Sequence, residues 1–216
     1  MSFEQGLLQV LAESAAVIYD FDGPICGVFA GLPAEGVARQ LELTIGVQVG
    51  TDDPLEVLRY AHQLGSTAVE AVERQLIAAE LLAVETASLT RGGLTSMCSL
   101  AARGKATGIL SNNSFEAVSK FMQKAVVDQW RGPIIGRPFG RPALMKPNPY
   151  GLDLMLSQLE VRGADAVFIG DSTSDIEVAK SRGVCSVGLA NKPGKREMLV
   201  EAGAEFVVDN MVELAG

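Results

Sequence analysis

The sequence lacks the features that mark several large classes of protein. No run of basic residues stands out that could follow a nucleic-acid backbone, and 18 lysines and arginines face 26 acidic residues, for a formal charge of −8. No apolar stretch approaches the roughly 20 residues needed to span a bilayer. We therefore expect neither a nucleic-acid partner nor a membrane-spanning segment.

Cysteine and histidine are also scarce. The three cysteines, Cys26, Cys98 and Cys185, are odd in number, far apart and without a C-x-x-C spacing, so they fit neither a disulfide framework nor a zinc site. The first residues have no basic segment, and their apolar residues recur at helical spacing. We therefore expect a reducing compartment and a cytoplasmic location.

What the sequence does contain is typical of an α/β protein. Its 216 residues are enough for one full α/β domain, or for a core domain with a smaller inserted one, and the 48% that are hydrophobic are typical of globular proteins. Three apolar runs, at 15–23, 106–114 and 165–175, each end in polar residues, and helical patterns at 94–104, 114–125 and 149–161 alternate with them. Further strands are indicated at 184–189 and 205–208, with a helix at 173–183. This alternation predicts a doubly wound parallel sheet.

The segment 24–91 has a different pattern. Helical candidates cover 33–43, 54–64 and 66–87, and no strand is indicated between residues 24 and about 90. Gly23-Pro24 precedes the segment and Arg91-Gly92-Gly93 ends it, both of which are typical of hinges. We therefore predict an α/β core formed by residues 1–23 and 92–216, with an inserted α-helical cap subdomain at 24–91.

Polar residues follow the predicted strands in four motifs. In chain order they are Asp20-Phe21-Asp22-Gly23, Leu110-Ser111-Asn112, Lys146-Pro147-Asn148-Pro149 and Gly170-Asp171-Ser172-Thr173-Ser174-Asp175. Each is weak evidence alone: Ser111-Asn112 could be a turn, Lys146 a solvated loop residue, and Asp175 a residue favoured at a helix N-terminus. Together they belong at one edge of the sheet, where ligands bind in open α/β folds.

The four motifs in this order resemble the haloacid dehalogenase superfamily, and the resemblance covers essentially the whole chain. The helical insert between the first two motifs is similar to the cap of phosphoglycolate-phosphatase-like members. The resemblance implies a Rossmann-like core and a Mg²⁺-dependent phosphatase that acts on a small phosphorylated metabolite through an aspartyl-phosphate. Dehalogenating members lack the second aspartate, so Asp22 favours phosphoryl chemistry.

The resemblance also assigns roles to individual residues. A carboxylate that attacks a phosphate ester brings two anions together, so a divalent cation and a lysine are needed at the site. The resemblance implies that Asp20 is the nucleophile and Asp22 the acid and base. The implied phosphate ligands are Ser111, the Asn112 N–H and Lys146. The implied Mg²⁺ ligands are Asp20, Asp171 and the Asp22 carbonyl, with Asp175 in support.

Two alternatives stay open. A phosphomutase of the same family would carry the same motifs and pass the phosphoryl group to a sugar hydroxyl. A non-enzymatic protein could keep the fold to bind a phosphate ligand, although retention of both aspartates and the lysine argues against it. The run Pro24-Ile25-Cys26 departs from the family pattern and leaves the hinge geometry and the substrate open. The oligomeric state does not follow from the sequence.

Overall fold

Six short strands form a parallel sheet in the computed structural model, which describes residues 3–125 and 130–214. The strands of the chain are β1 Ala16–Tyr19, β2 Cys26–Gly27, β3 Ser88–Leu89, β4 Ala106–Leu110, β5 Ile134–Ile135, β6 Ala166–Gly170, β7 Cys185–Leu189 and β8 Phe206–Val208. The main sheet has the order β5-β4-β1-β6-β7-β8. The chain winds to one side of β1 and then to the other, which confirms the predicted α/β class.

Helices connect the strands and cover the sheet. They are α1 Phe3–Glu13, α2 Ala34–Ile45, α3 Pro54–Leu64, α4 Ser66–Thr86, α5 Gly93–Ala102, α6 Phe115–Ala125, α7 Tyr150–Leu159, α8 Thr173–Ser181 and α9 Lys195–Ala202, with short 3₁₀ helices at Pro142–Leu144, Gly163–Asp165 and Met211–Leu214. None of the described helices is both long and apolar enough to cross a membrane.

The central strand β1 explains why the sheet needs helices on both faces. Its four side chains are all completely buried. Val17 and Tyr19 belong to one apolar cluster and Ala16 and Ile18 to another, because successive side chains of a strand point to opposite faces. A strand that is apolar on both faces is typical of a parallel sheet inside an α/β protein.

The helices α2, α3 and α4 share an apolar cluster of their own, which includes Leu41, Leu58 and Leu76. The start of α3 is well defined, since the Asp53 carboxylate accepts the Leu55 N–H at 2.8 Å and Pro54 occupies the first turn. The second half of α4 packs elsewhere, on α6 and the sheet. A single helix thus joins the helical layer to the α/β core.

The strands β2 and β3 correct the sequence analysis, which indicated no strand between residues 24 and 90. They form an antiparallel pair in which Cys26 faces Leu89 and Gly27 faces Ser88. Strands of two residues are too short to produce an alternating pattern. The division into a core and a cap at 24–91 stays a prediction, and its core range also includes residues 1–2, 126–129 and 215–216, which lie outside the described residues.

Two leucines of α2 test the separate core of the helical layer. Leu41 is 1% exposed within the cluster, whereas Leu43 is 74% exposed. We expect Leu41→Ala to lower the free energy of unfolding by about 2–5 kcal/mol, because it leaves a cavity. The same change at Leu43 should stay within about 0.5 kcal/mol. Urea unfolding of both variants measures the difference, and equal losses would contradict the assigned packing.

Candidate active site

Three neighbouring strands deliver polar residues to the same edge of the sheet. Asp20 follows β1, Ser111 follows β4 and Asp171 follows β6. The Asp20 N–H donates to Ile169 O at 2.8 Å, and the Ser111 N–H donates to Ile135 O at 2.9 Å, so both positions continue the ladder of the sheet. The carboxyl ends of parallel strands therefore fix where these side chains begin.

A cavity of about 870 Å³ opens above this edge. The predicted site residues that line it are Asp20, Asp22, Ser111, Asn112, Lys146 and Asp171. Asp175 is 1% exposed and lies beneath the cavity rather than on its wall. The residues predicted from four separate motifs are thus brought together, while their chemical roles stay predictions.

Lys146 is the buried cation of the cluster. Its Nζ lies 2.9 Å from Asp20 Oδ1 and 2.6 Å from Asp175 Oδ1, and it donates to the Leu110 carbonyl at 3.1 Å. The three donors of the ammonium therefore have three acceptors. Lys146 is not a solvated loop residue, because its side chain is 3% exposed.

The electrostatics of the cluster are dominated by burial. Burial and the charge of Asp175 raise the pKa of Asp20 to about 8, and Lys146 opposes this shift. Burial alone would lower the pKa of Lys146, but Asp175 and Asp20 outweigh it and raise that pKa. Lys146 faces the carboxylates of both Asp20 and Asp175, and a bound cation would offset the excess of negative charge.

The two carboxylate oxygens of Asp175 make separate sets of contacts. Its Oδ2 accepts the N–H groups of Asp171 at 3.1 Å and Ser172 at 3.0 Å, and it forms a capping box with Ser172 at the start of α8. Its Oδ1 pairs with Lys146. These contacts agree with the expectation that Asp175 favours a helix N-terminus, while its role in supporting a metal stays a prediction.

A divalent cation fits the oxygen donors at this edge. Asp20, Asp171 and Asp175 each offer one carboxylate oxygen, and these atoms lie within 4.8 Å of one another. Hard cations such as Mg²⁺ prefer such ligands. Asp22 Oδ1 accepts the Val28 N–H at 2.9 Å, and the residue lines the cavity. Its predicted metal contact is the main-chain carbonyl.

Asp22 is held beside the first aspartate by a tight turn. Burial raises the pKa of Asp22, the Val28 N–H opposes the shift, and the charge of Asp171 adds to it. Gly23 follows with φ of 102°, and a Cβ there would come within 2.4 Å of the Asp171 carboxylate. Glycine is therefore required at this position both by conformation and by space.

The loop after β4 is also held by its own side chains. The Ser111 hydroxyl donates to Asn113 Oδ1 at 3.1 Å and accepts the Asn113 N–H at 3.1 Å. The Asn112 amide binds the main chain of Lys146, accepting its N–H at 2.8 Å and donating to its carbonyl at 3.2 Å. The amide of Asn112 thus positions Lys146, and only its N–H is predicted to meet a phosphate.

Several charged residues around the site were not predicted from the sequence. Lys195, at the start of α9, pairs with Asp171. Glu73 and Glu80 of α4 pair with the buried Arg137, and Glu80 also lines the cavity. Their partners lie 24 to 64 residues away in the chain. No local sequence pattern indicates pairs so far apart. From the sequence alone, a buried glutamate of a helix cannot be distinguished from one on the exposed polar face.

Comparison of the sequence with protein families finds a match over residues 56–189 to the family described as haloacid dehalogenase-like hydrolase. A phosphoglycolate phosphatase from Vibrio parahaemolyticus is 33% identical over 69 residues, which are 32% of this chain and 30% of that protein. The pyrophosphatase PpaX from Listeria welshimeri is 26% identical over 107 residues, 50% of this chain and 48% of its own. The chain spans about half or less of these curated relatives.

Solved structures share the whole fold at low identity. A hydrolase from Pseudomonas syringae superposes with a TM-score of 0.74 at 14% identity, over 93% of this chain and 95% of that one. The β-phosphoglucomutase from Clostridium difficile superposes with a TM-score of 0.71 at 18% identity, over 93% of each chain. At these identities the likeness concerns the fold alone.

The raised pKa of Asp20 predicts that, in the absence of divalent cations, the protein loses stability as pH rises. The Asp20 pKa of about 8 in the folded protein exceeds the ~3.9 of an unfolded chain, so folding favours the protonated form. The contribution of Asp20 to the free energy of unfolding is therefore lost as pH rises from about 4 to about 8. In chelator, we expect Asp20→Asn to be more stable than the wild type by about 1–3 kcal/mol at pH 8 and nearly equal at pH 4. Urea unfolding at both pH values measures this, and a wild type more stable at pH 8 would contradict it.

Proposed function

Because the chain belongs to the haloacid dehalogenase-like hydrolase family, as its motifs predicted, we propose that it hydrolyses small phosphate monoesters with Asp20 as the nucleophile. The observation that carries the proposal is the position of Asp20, which lines a cavity of about 870 Å³ and pairs with the buried Lys146 at 2.9 Å. Lys146 supplies the positive charge that an anionic nucleophile needs when its substrate is also an anion.

The proposed reaction has two displacements at phosphorus. The Asp20 carboxylate attacks the phosphorus, the bond to the ester oxygen breaks, and Asp22 gives that oxygen its proton. The product is an alcohol and an acyl phosphate on Asp20. Water then attacks the same phosphorus and transfers a proton to Asp22, so that phosphate leaves and both carboxyl groups return to their first states. The raised pKa of Asp22 supports its role as the proton donor.

Asp20, Asp171 and the Asp22 carbonyl are the proposed Mg²⁺ ligands, and Asp175 supports them. The bound ion would supply positive charge beside the phosphoryl oxygens. Lys146 pairs with the carboxylates of Asp20 and Asp175 and holds them in place. Ser111 and the Asn112 N–H are the proposed contacts to the phosphate, and both residues line the cavity.

The helical layer supplies the opposite wall of the cavity. The residues between α2 and α3, together with the start of α3, contribute Thr51, Asp52, Asp53, Glu56 and Arg59, while α4 contributes Leu76 and Glu80. This arrangement supports the proposal that residues 24–91 act as a cap over the core. A cap that excludes water strengthens the electrostatic interactions within the site.

The charge of this wall favours a particular class of leaving group. Among the described residues that line the cavity, this wall contributes four acidic residues, Asp52, Asp53, Glu56 and Glu80, and one basic residue, Arg59, while Lys146 is the one basic residue in the rest of the lining. Lys146 is paired with two carboxylates, and Arg59 pairs with Glu56 at 2.6 Å. No unpaired cation of the wall is therefore available to a carboxylate or a second phosphate on the leaving group. We propose alcohols that are neutral or cationic, rather than the glycolate and phosphate released by the enzymes that its relatives are named for.

A reducing compartment is also proposed. The three cysteines are free, and burial raises the pKa of Cys26 far above its ordinary value, so this thiol stays protonated beside the site. Cys26 is completely buried in β2 and acts as a small apolar residue. Cysteines that form no disulfide with one another support the proposal of a reducing compartment, and so of a cytoplasmic location.

Two other functions stay open as alternatives. A phosphomutase would use the same carboxylates and return the phosphoryl group to a sugar hydroxyl. Product analysis with a hexose 1-phosphate separates the two, since a mutase yields an isomeric ester with little free phosphate. A non-enzymatic phosphate-binding protein would release no phosphate from any ester.

The nucleophile is tested by phosphate release from an aryl phosphate in the presence of Mg²⁺. Asp20→Asn keeps the shape of the side chain but removes the attacking anion, so we expect kcat to fall at least about a thousandfold. The matched control is Asp165→Asn, because Asp165 is partly exposed, pairs with Arg162 and lies just before β6, at the opposite edge of the sheet. An Asp20→Asn variant that retains most of its activity would contradict the proposal.

The leaving-group preference is tested with three esters of matched size: 2-aminoethyl, 2-hydroxyethyl and carboxymethyl phosphate. We expect kcat/KM for the carboxymethyl ester to be about tenfold or more below that for the hydroxyethyl ester, because the wall repels its carboxylate. Glu56→Gln removes one charge and frees Arg59, so it should narrow this gap. Glu70→Gln breaks the similar exposed pair with Arg74 outside the cavity and should leave the gap unchanged.

The salt dependence of the same ratio provides a check. Because the charges of Glu56 and Arg59 are partly exposed, added salt should also narrow the gap between the two esters. A carboxymethyl ester that is hydrolysed as fast as the hydroxyethyl ester would contradict the preference. It would leave the nucleophilic role of Asp20 unaffected.

A further inference from the structure

Two glutamates of α4 are buried on either side of one arginine. Arg137 Nε lies 2.5 Å from Glu73 Oε1, and Arg137 Nη1 lies 2.5 Å from Glu80 Oε1. All three side chains are at most 1% exposed. The ion pairs therefore join the helical layer to the segment that follows β5, in an environment from which water is excluded.

Only one of the two glutamates also contacts the loop that carries Ser111. Glu80 Oε1 accepts from Asn113 Nδ2 at 3.1 Å, and Glu80 Oε2 accepts from the Ser114 N–H at 3.0 Å. Asn113 in turn holds the Ser111 hydroxyl at 3.1 Å. A continuous series of hydrogen bonds thus runs from α4 to the hydroxyl at the edge of the cavity.

Arg137 supports the same loop from the other side. Its Nη1 donates to the Asn112 carbonyl at 3.0 Å, and its main-chain N–H donates to the Asn113 carbonyl at 3.0 Å. The loop from Ser111 to Ser114 is therefore fixed at both its side chains and its main chain. Such a loop presents N–H and hydroxyl groups in a single arrangement.

Stability alone is a poor explanation for this network. A buried ion pair loses the hydration of both charges, and apolar residues of similar volume are often as stabilising. Arg137 Nη2 has no hydrogen-bond partner within 3–125 and 130–214, and two carboxylates share one guanidinium. The cost of this incomplete pairing indicates that the network is retained for the geometry it imposes.

We propose that Glu80, held by Arg137, is a positioning residue for the phosphate contacts of the Ser111 loop. The inference rests on the proposed function, because it takes that loop to be the one that binds the phosphoryl group. The helical layer then contributes to phosphate binding from a distance, in addition to covering the cavity. Glu73 pairs with the same arginine without touching the loop, so it provides a matched comparison.

The test compares Glu80→Ala with Glu73→Ala in the full chain with Mg²⁺. Each variant removes one carboxylate from Arg137, so both should lower the melting temperature. Calorimetric titration with inorganic phosphate should show a dissociation constant raised about tenfold or more for Glu80→Ala and within about twofold of wild type for Glu73→Ala. The KM for an aryl phosphate should change in the same order.

Glu80→Gln serves as the conservative variant and guards against a failure of Glu80→Ala to fold. Its single amide oxygen can accept either the Ser114 N–H or the donors of Asn113 and Arg137, but not both. Phosphate binding should therefore lie between that of Glu80→Ala and that of the wild type. Equal weakening by Glu73→Ala and Glu80→Ala would overturn the positioning role, as would no weakening by either. A wild-type protein that binds no phosphate would overturn the proposed function and this inference with it.

Discussion

The edge of the sheet that carries the candidate site depends on one buried lysine. Lys146 joins the end of β1, through Asp20, to the end of β4, through the Leu110 carbonyl, and to the start of α8, through Asp175. Without this ammonium, carboxylates that are almost completely buried would repel each other. The main chain of Lys146 is itself held by the Asn112 amide, so the third motif is fixed by the second.

The helical layer contributes to the same edge in two ways. The segment between α2 and α3 and the start of α3 form an acidic wall whose one arginine is already paired. Farther along the chain, α4 leaves the layer and packs against α6 and the sheet. Glu80 lies on this second half, which explains how a residue of the insert reaches the loop after β4. The proposed leaving-group selectivity and the proposed phosphate binding thus both depend on the helical layer.

The sequence predicted those parts of the molecule that leave a local pattern. The buried strands β1, β4 and β6 are apolar runs that end in polar residues, and the helices α3 and α8 begin at caps that can be read from adjacent residues. The family assignment followed from the order of four motifs and is confirmed. The short strands β2, β3 and β5 could not be predicted, because two residues show no periodicity.

The missed side chains have a common physical cause. Arg137 and Glu73 are 64 residues apart and Lys195 and Asp171 are 24 apart, so their pairing depends on the completed fold. The helix α9 was missed because its sequence is charged and has one fully buried apolar residue, Leu199. In the run Pro24-Ile25-Cys26, Ile25 and Cys26 are completely buried beside the turn that carries Asp22, while the effect of this run on the hinge and the substrate stays open.

The central claim is that the phosphoryl group passes through a covalent bond to Asp20. The most direct measurement is a rapid acid quench of the enzyme during turnover of a radiolabelled phosphate ester, followed by peptide mapping. The account predicts a label on the peptide that contains Asp20, removed by hydroxylamine as expected for an acyl phosphate, and no label in Asp20→Asn. Phosphate release without a labelled protein, or a label on another residue, would contradict it.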